Sequence, residues 1–233
     1  MLSTRLFSSS SGYIAFKQSQ QPIPPSSTGG SALFNGTSQY LTVSNSSDFN
    51  VGTGNVTIEW FQYMTTSSSY PRIFSIGAYP SAVIGVSIEG GTMYVWIAGG
   101  ARISVSISGY TNVWIHFAIV RNGTSLVLYR NGTSIGTATN SSNITSALNL
   151  LIGSEGGANT YYGGNITNFR WTNSAVYTSN FTTPSSPLSS LPQTKLLLLF
   201  STLAGLLTDS SGTGKTVSNT TGVEWSSSTP FVS

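Results

Sequence analysis

Trp114-Ile115-His116-Phe117-Ala118-Ile119-Val120-Arg121, Asn122-Gly123, Thr124-Ser125-Leu126-Val127-Leu128-Tyr129-Arg130, Asn131-Gly132 and Thr133-Ser134-Ile135-Gly136 follow one another without a break. Each Asn-Gly pair supplies residues that tolerate φ > 0, as a tight hairpin requires, so the stretch reads as three antiparallel strands in a meander. Alternate residues of a strand point to opposite faces. In the first strand Trp114, His116, Ala118 and Val120 share one face, and Ile115, Phe117 and Ile119 share the other. Both faces are mostly apolar, which predicts a central strand covered on both sides. A second sheet can cover one face; loops, the terminal segments or a partner subunit must cover the other.

Outward from the meander, short β-branched and aromatic runs alternate with Gly, Asn and Ser turns. Strands are expected at 32–34, 40–43, 56–64, 72–77, 82–89, 92–98, 101–106, 114–121, 125–130, 133–138, 148–152, 164–171, 195–200 and 222–226. No stretch competes as a long helix, and the pattern is that of a two-sheet sandwich.

Charge is scarce. Only 15 of 233 residues are ionised at neutral pH, or 6%, against about 25% in an ordinary domain. Their place is taken by 42 Ser, 29 Thr, 16 Asn and 25 Gly, while 39% of the chain stays hydrophobic, enough for a core. The nine Lys and Arg are scattered, so no stripe could track a phosphate backbone, and nucleic acid is not expected as a partner. His116 is the single histidine and no two of the six carboxylates lie within ten positions, which disfavours sites needing several ionisable groups. The absence of cysteine excludes disulfides, thiolate zinc sites and thiol nucleophiles. The most apolar segment, 196–207, is too short for a bilayer span and reads as buried core, so no membrane is expected. Near the N-terminus a Ser run stands where a secretory signal would be apolar. Ten Asn-X-Ser/Thr acceptor sites occur, two of them in the Asn-Gly turns.

Two regions are expected: a flexible arm, 1–30, and a single sandwich, 31–233. The arm has local polyproline character around Pro22-Ile23-Pro24-Pro25 and carries one apolar patch, Tyr13, Ile14 and Phe16, suited to ordering against a neighbouring subunit.

A set of short motifs then resembles the laminin-G-like branch of the concanavalin A-like lectin and glucanase superfamily. They run in family order: Ala32-Leu33-Phe34-Asn35-Gly36 and Tyr40-Leu41-Thr42-Val43; Val56-Thr57-Ile58-Glu59-Trp60-Phe61; Trp114-Ile115-His116-Phe117-Ala118; Leu128-Tyr129-Arg130-Asn131-Gly132; and Ile152-Gly153 with Gly163-Gly164-Asn165-Ile166-Thr167-Asn168-Phe169-Arg170-Trp171. The resemblance implies an all-β, antiparallel two-sheet jelly-roll β-sandwich. Asp209-Ser210-Ser211-Gly212 and Val223-Glu224-Trp225 look like the lead-in that such domains carry before their first strand. Standing last here, they imply a permuted closure in which segments within 195–226 complete the sheets beside the Phe34 strand. The arrangement is also similar to domains of phage and large DNA virus particles.

Glucanases of that superfamily place carboxylates together on one strand, spaced for hydrolysis of a glycosidic bond. Glu59 and Glu89 have no such neighbours in sequence, so no catalytic residue is assigned and no enzyme is expected. His116, alternating with Trp114 and Ala118, reads as a neutral, hydrogen-bonded core histidine. Gly212-Thr213-Gly214-Lys215-Thr216 ends like a phosphate-binding loop, but Asp209 stands where the first Gly is needed and no helix follows, so it reads as a plain loop. Many relatives hold calcium at the sandwich rim beside a Phe-Asp-Gly turn; here Asn35 replaces the Asp, leaving Asp48 and Asp209 as isolated carboxylates. Neither a metal nor any other cofactor is expected.

A carbohydrate site needs aromatic platforms flanked by amides or hydroxyls. Asn159, Tyr161 and Tyr162 in a Gly-rich loop meet that need best, with Tyr94 and Trp96 second. Two functions follow. One is a non-enzymatic structural protein of a virion, minor capsid or fibre-associated, packing against other structural proteins or copies of itself. The alternative is a lectin-like module that binds glycans for host-surface attachment, at the virion, outside the cell or on its surface.

Overall fold

A computed structural model describes residues 29–65 and 68–231. The described chain forms the strands β1 (Ser31–Asn35), β2 (Leu41–Val43), β3 (Val56–Met64), β4 (Arg72–Ile76), β5 (Ile84–Glu89), β6 (Thr92–Ile97), β7 (Gly100–Ser106), β8 (Trp114–Asn122), β9 (Ser125–Arg130), β10 (Thr133–Thr139), β11 (Leu150–Ile152), β12 (Gly163–Thr172), β13 (Thr194–Leu198), β14 (Val217–Ser218) and β15 (Glu224–Ser226). They make two antiparallel sheets. The first runs β10-β9-β8-β3-β12-β1-β15, with β13 also on β12; the second runs β14-β2-β11-β4-β5-β6-β7. The expected all-β jelly-roll sandwich is the fold observed.

The meander forms at the positions its turns dictate. Asn131 and Gly132 both take positive φ, 46° and 76°, and β9 pairs with β10 directly across them. β8 is central, between β3 and β9. Its inward residues Ile115, Phe117 and Ile119 join the core between the sheets, where Trp60 stacks on Phe117 at 5.7 Å and Phe74 meets Phe169 edge to face at 5.4 Å.

The outer face of β8 is covered by the chain itself. Between β12 and β13, residues 173–193 cross the first sheet as a strap and bring Ala175, Tyr177 and Phe181 down on Ala118, Val120 and Tyr129. Phe181 N–H donates to the Gly132 carbonyl at 2.9 Å, tying the strap to the second Asn-Gly turn. No partner subunit is needed to explain the two-sided apolar strand.

The C-terminal closure follows the expectation in one half. β15 pairs with β1, Ala32 opposite Trp225, but β13 pairs with β12 and lies in line with β1 rather than beside it. The reason is in β12, where the pairing with β3 slips between Thr167 and Arg170 and Asn168 takes φ 52°. One edge of this long strand therefore serves β1 with residues 163–166 and β13 with residues 169–172. β14, two residues long, was below the length at which alternation can be read.

Candidate functional site

The outer face of the second sheet carries a polar and aromatic cleft. Its geometry begins with an irregularity in β4: Arg72 pairs with Ser87 and Phe74 with Val86, so Ile73 is an extra residue. Phe74 and Val86 enter the core, and Arg72 comes onto the outer face beside Ser87. Two carboxylates converge on Arg72. Its Nε donates to Glu155 Oε2 at 2.8 Å and Nη2 to Glu155 Oε1 at 3.3 Å, while Nη1 donates to Glu89 Oε1 at 3.1 Å and to the Tyr70 carbonyl at 3.0 Å. Trp96 Nε1 donates to Ser87 Oγ at 2.8 Å, and Ser87 Oγ donates to Glu89 Oε1 at 2.9 Å. The indole is thus fixed by the same polar chain that holds the carboxylate.

Around this floor stand four aromatic rings, those of Tyr70, Tyr79, Tyr94 and Trp96. Tyr79 meets Trp96 edge to face at 5.6 Å, and Tyr94 lies 5.8 Å from Trp96 on the same strand. Tyr70 and Tyr79 are among the most exposed large apolar side chains described, at 51% and 61%. Tyr70, Arg72, Tyr79, Glu89, Trp96, Glu155, Ala158 and Thr160 line a cleft of about 430 Å³, within the range of small-ligand sites, roughly 300–1,000 Å³.

The Gly-rich loop expected to carry the platform divides its residues between two hollows. Ala158 and Thr160 face the Trp96 cleft, whereas Asn159 and Tyr161 line a second hollow of about 360 Å³ with Gly36, Thr37 and Ser68. Tyr162 is a correction: it is fully buried, set edge to face against Phe34 at 6.1 Å, with its hydroxyl donating to the Asn165 carbonyl at 3.4 Å. It is a core side chain and cannot touch a ligand, and its burial raises the phenol well above the ordinary value. Tyr13, Ile14 and Phe16 lie outside the described residues. Sequence reasoning missed Arg72 and Glu155 altogether and treated Glu89 as isolated, because Glu89 and Glu155 meet only through the fold. The available signal was Arg72, Ser87 and Glu89 standing as polar residues among the apolar runs of β4 and β5.

On the first sheet, Glu59 is fully buried and accepts bonds from Arg170 Nε and Nη2 at 2.9 and 2.5 Å, from Tyr177 Oη at 2.9 Å, and lies 3.1 Å from His116 Nε2. Burial alone would raise its carboxyl, but the His116 bond and the Arg170 charge hold it below the usual value. Burial first, and the Glu59 charge second, push the Tyr177 phenol upward, keeping it a donor. His116 is buried and bonded through Nε2, its Nδ1 has no hydrogen-bond partner among the described residues, and no serine hydroxyl joins its network. This cluster anchors the strap, with Glu59, His116 and Arg170 buried beneath a partly buried Tyr177.

The remaining acidic candidates are spent on the fold. Asp48 pairs with Lys215 at 2.6 Å and Lys195 at 3.7 Å. Asp209 accepts from the backbone N–H groups of Leu197, Ser211 and Lys215, which closes the Gly-Lys loop ahead of β14 without a helix. Asn35 Oδ1 accepts from Thr37, Ser38 and Gln39 N–H, so the amide organises its own turn. Among the described residues no group of three or more His, Asp or Glu side chains is placed to hold a metal.

Comparison with known proteins adds a family. A family profile described as the concanavalin A-like lectin/glucanases superfamily matches residues 35–179. No curated protein sequence matches the chain. A candidate carbohydrate-binding protein from Bacteroides ovatus superposes with a TM-score of 0.66 at 16% identity, covering 85% of this chain and 60% of that one. The extracellular region of zebrafish Gpr126/Adgrg6 superposes with a TM-score of 0.53 at 14% identity, over 81% of this chain and 25% of that one. The chain therefore spans less than two thirds of the length of the first structure and a quarter of the second, and the likeness is one of fold.

Proposed function

Since the chain belongs to the concanavalin A-like lectin/glucanases superfamily, we propose that it is a lectin-like module that binds a saccharide in the cleft between Tyr70, Tyr79 and Trp96. One observation carries this reading: solvent-exposed aromatic rings stand over polar groups that are already locked in place by Arg72, Ser87 and Glu155. Sugars present apolar C–H faces to stack on aromatic rings and hydroxyls around their edges to hydrogen-bond, and a fixed site orders few side chains on binding. The Bacteroides ovatus structure, whose description is of carbohydrate binding, supports it by fold. An extracellular or cell-surface location accompanies this reading.

Binding is favoured over hydrolysis by the place of Arg72. Retaining and inverting glycosidases set two carboxylates on either side of the scissile bond. Here the guanidinium occupies the space between Glu89 and Glu155 and bonds both.

The virion reading loses one of its supports. Beside the similarity to virus-particle domains, the arm and the charge-poor surface, it drew on an outer face of β8 in need of a partner, and the strap covers that face. The glycan reading is tested on a glycan array with the intact protein and the Trp96→Ala variant. Binding by the first, absent in the second at unchanged melting temperature, is the expected result; an array without signal would refute it.

A further inference from the structure

Resting on the glycan-binding reading, we infer that the Trp96 cleft rejects acidic saccharides and favours those carrying an amine. Of the eight cleft residues, Arg72 is the one cation, and Glu89 and Glu155 are the two anions, giving a local sum of −1 (one positive, two negative). Arg72 is a buried cation already used. Its Nε and Nη2 are on Glu155, and its Nη1 serves both Glu89 and the Tyr70 carbonyl. A carboxylate or sulfate is normally recognised by a guanidinium fork with a pair of free donors; four of the five N–H groups of Arg72 are taken, and the one left on Nη2 makes no fork. An acidic sugar would bring a like charge beside two carboxylates in exchange.

Glu89 is the accessible partner, its side chain 28% exposed against 8% for Glu155. Both of its bonds, from Arg72 and Ser87, fall on Oε1. Oε2 is left to accept from a ligand. An ammonium at that oxygen would have the rings of Tyr79 and Trp96 within the same cleft, and aromatic faces attract cations as well as sugar C–H groups. A hydroxyl would be accepted there too, without the charge.

The test is an array of neutral, amine-bearing and acidic glycans, followed by titration calorimetry at mildly acidic pH. The calorimetric probes are glucosamine oligomers, their N-acetylated counterparts and oligogalacturonates of equal length. The expected result is array signal confined to non-acidic glycans, with glucosamine oligomers bound roughly tenfold more tightly than the N-acetylated ones. In Glu89→Gln, which keeps an oxygen for Arg72, the ratio between the two affinities falls to about one. Acidic glycans bound as tightly as the others, or an amine preference unaltered in Glu89→Gln, would overturn the inference. If Trp96→Ala still abolishes that binding, the lectin reading survives. No binding to any glycan would bring down both.

Discussion

Arg170 Nη2 lies 2.5 Å from Glu59 Oε1, and neither side chain is more than 4% exposed. The pair is completed by His116, by the Tyr177 hydroxyl and by the Ser189 carbonyl, which accepts from Arg170 Nη1 at 2.7 Å. Two of these partners, Tyr177 and Ser189, belong to the strap, so the buried charges fasten it to the sheet. Removing one partner strands the other charge without water. Glu59→Leu or Arg170→Met alone should cost about 3–5 kcal/mol, whereas the double variant should cost clearly less than either, since no charge is then orphaned. Urea denaturation of the four proteins in the cycle checks this.

The strap also sets the two Asn-Gly turns apart. A Cβ at Gly132 would lie 1.8 Å from the Phe181 carbonyl oxygen, while at Gly123 it would meet nothing within 4 Å. Both glycines have positive φ, 76° and 58°. Gly123→Ala should cost only the left-handed backbone penalty, about 1–2 kcal/mol. Gly132→Ala must in addition push the strap off the meander, and should cost at least about 2 kcal/mol more. Melting temperatures of the two variants, compared under one condition, test the difference.

The elements were legible where periodicity is long. The apolar alternation of β3 and β8 and the Asn-Gly turns specified the central strands, and β3 and β9 begin and end where expected. The strap was illegible, because Ala175, Tyr177 and Phe181 have no fixed spacing and bury themselves only against a sheet formed elsewhere. The site was half legible. Trp96 and Tyr94 could be picked out as aromatics on a strand beside turns. Tyr162 misled because two adjacent tyrosines in a Gly-rich loop look alike in sequence, and only the fold, which sets Tyr162 edge to face on Phe34, tells them apart. Arg72 required knowing that β4 has one residue too many.

Stability should fall in acid. Asp48 is held below its ordinary value chiefly by its bond to Lys215; in Asp209, burial acts upward but the backbone N–H groups of Lys215 and Ser211 prevail, and Glu59 is lowered as described. A carboxylate whose folded value is depressed contributes stability above its unfolded value, about 4, and loses it as pH falls through the folded one. Unfolding free energy should therefore be flat near neutrality and decline below about pH 4. Asp209→Asn should be less stable than the parent at pH 7, with a shallower decline in acid. Chemical denaturation across this pH range measures both.

The division of the 153–163 loop gives a last, local test of where a saccharide sits. Tyr79 and Tyr161 are both accessible tyrosines beside the same loop, but Tyr79 borders the Trp96 cleft and Tyr161 the hollow with Asn159 and Thr37. Tyr79 rests edge-on against Trp96 and its backbone N–H donates to Glu155 Oε2 at 3.2 Å, so its ring is placed by the same residues that hold Arg72. Removing a well-placed aromatic anchor costs about 2 kcal/mol or more of binding, a loss of thirtyfold or so. Tyr79→Ala should weaken glycan binding by about that factor, with Tyr161→Ala within about twofold of the parent. Both variants should melt with the parent, since neither ring belongs to the core between the sheets. The reverse pattern, loss in Tyr161→Ala and retention in Tyr79→Ala, would move the saccharide to the Asn159 hollow and leave Arg72, Glu89 and Glu155 as a structural clasp on the second sheet.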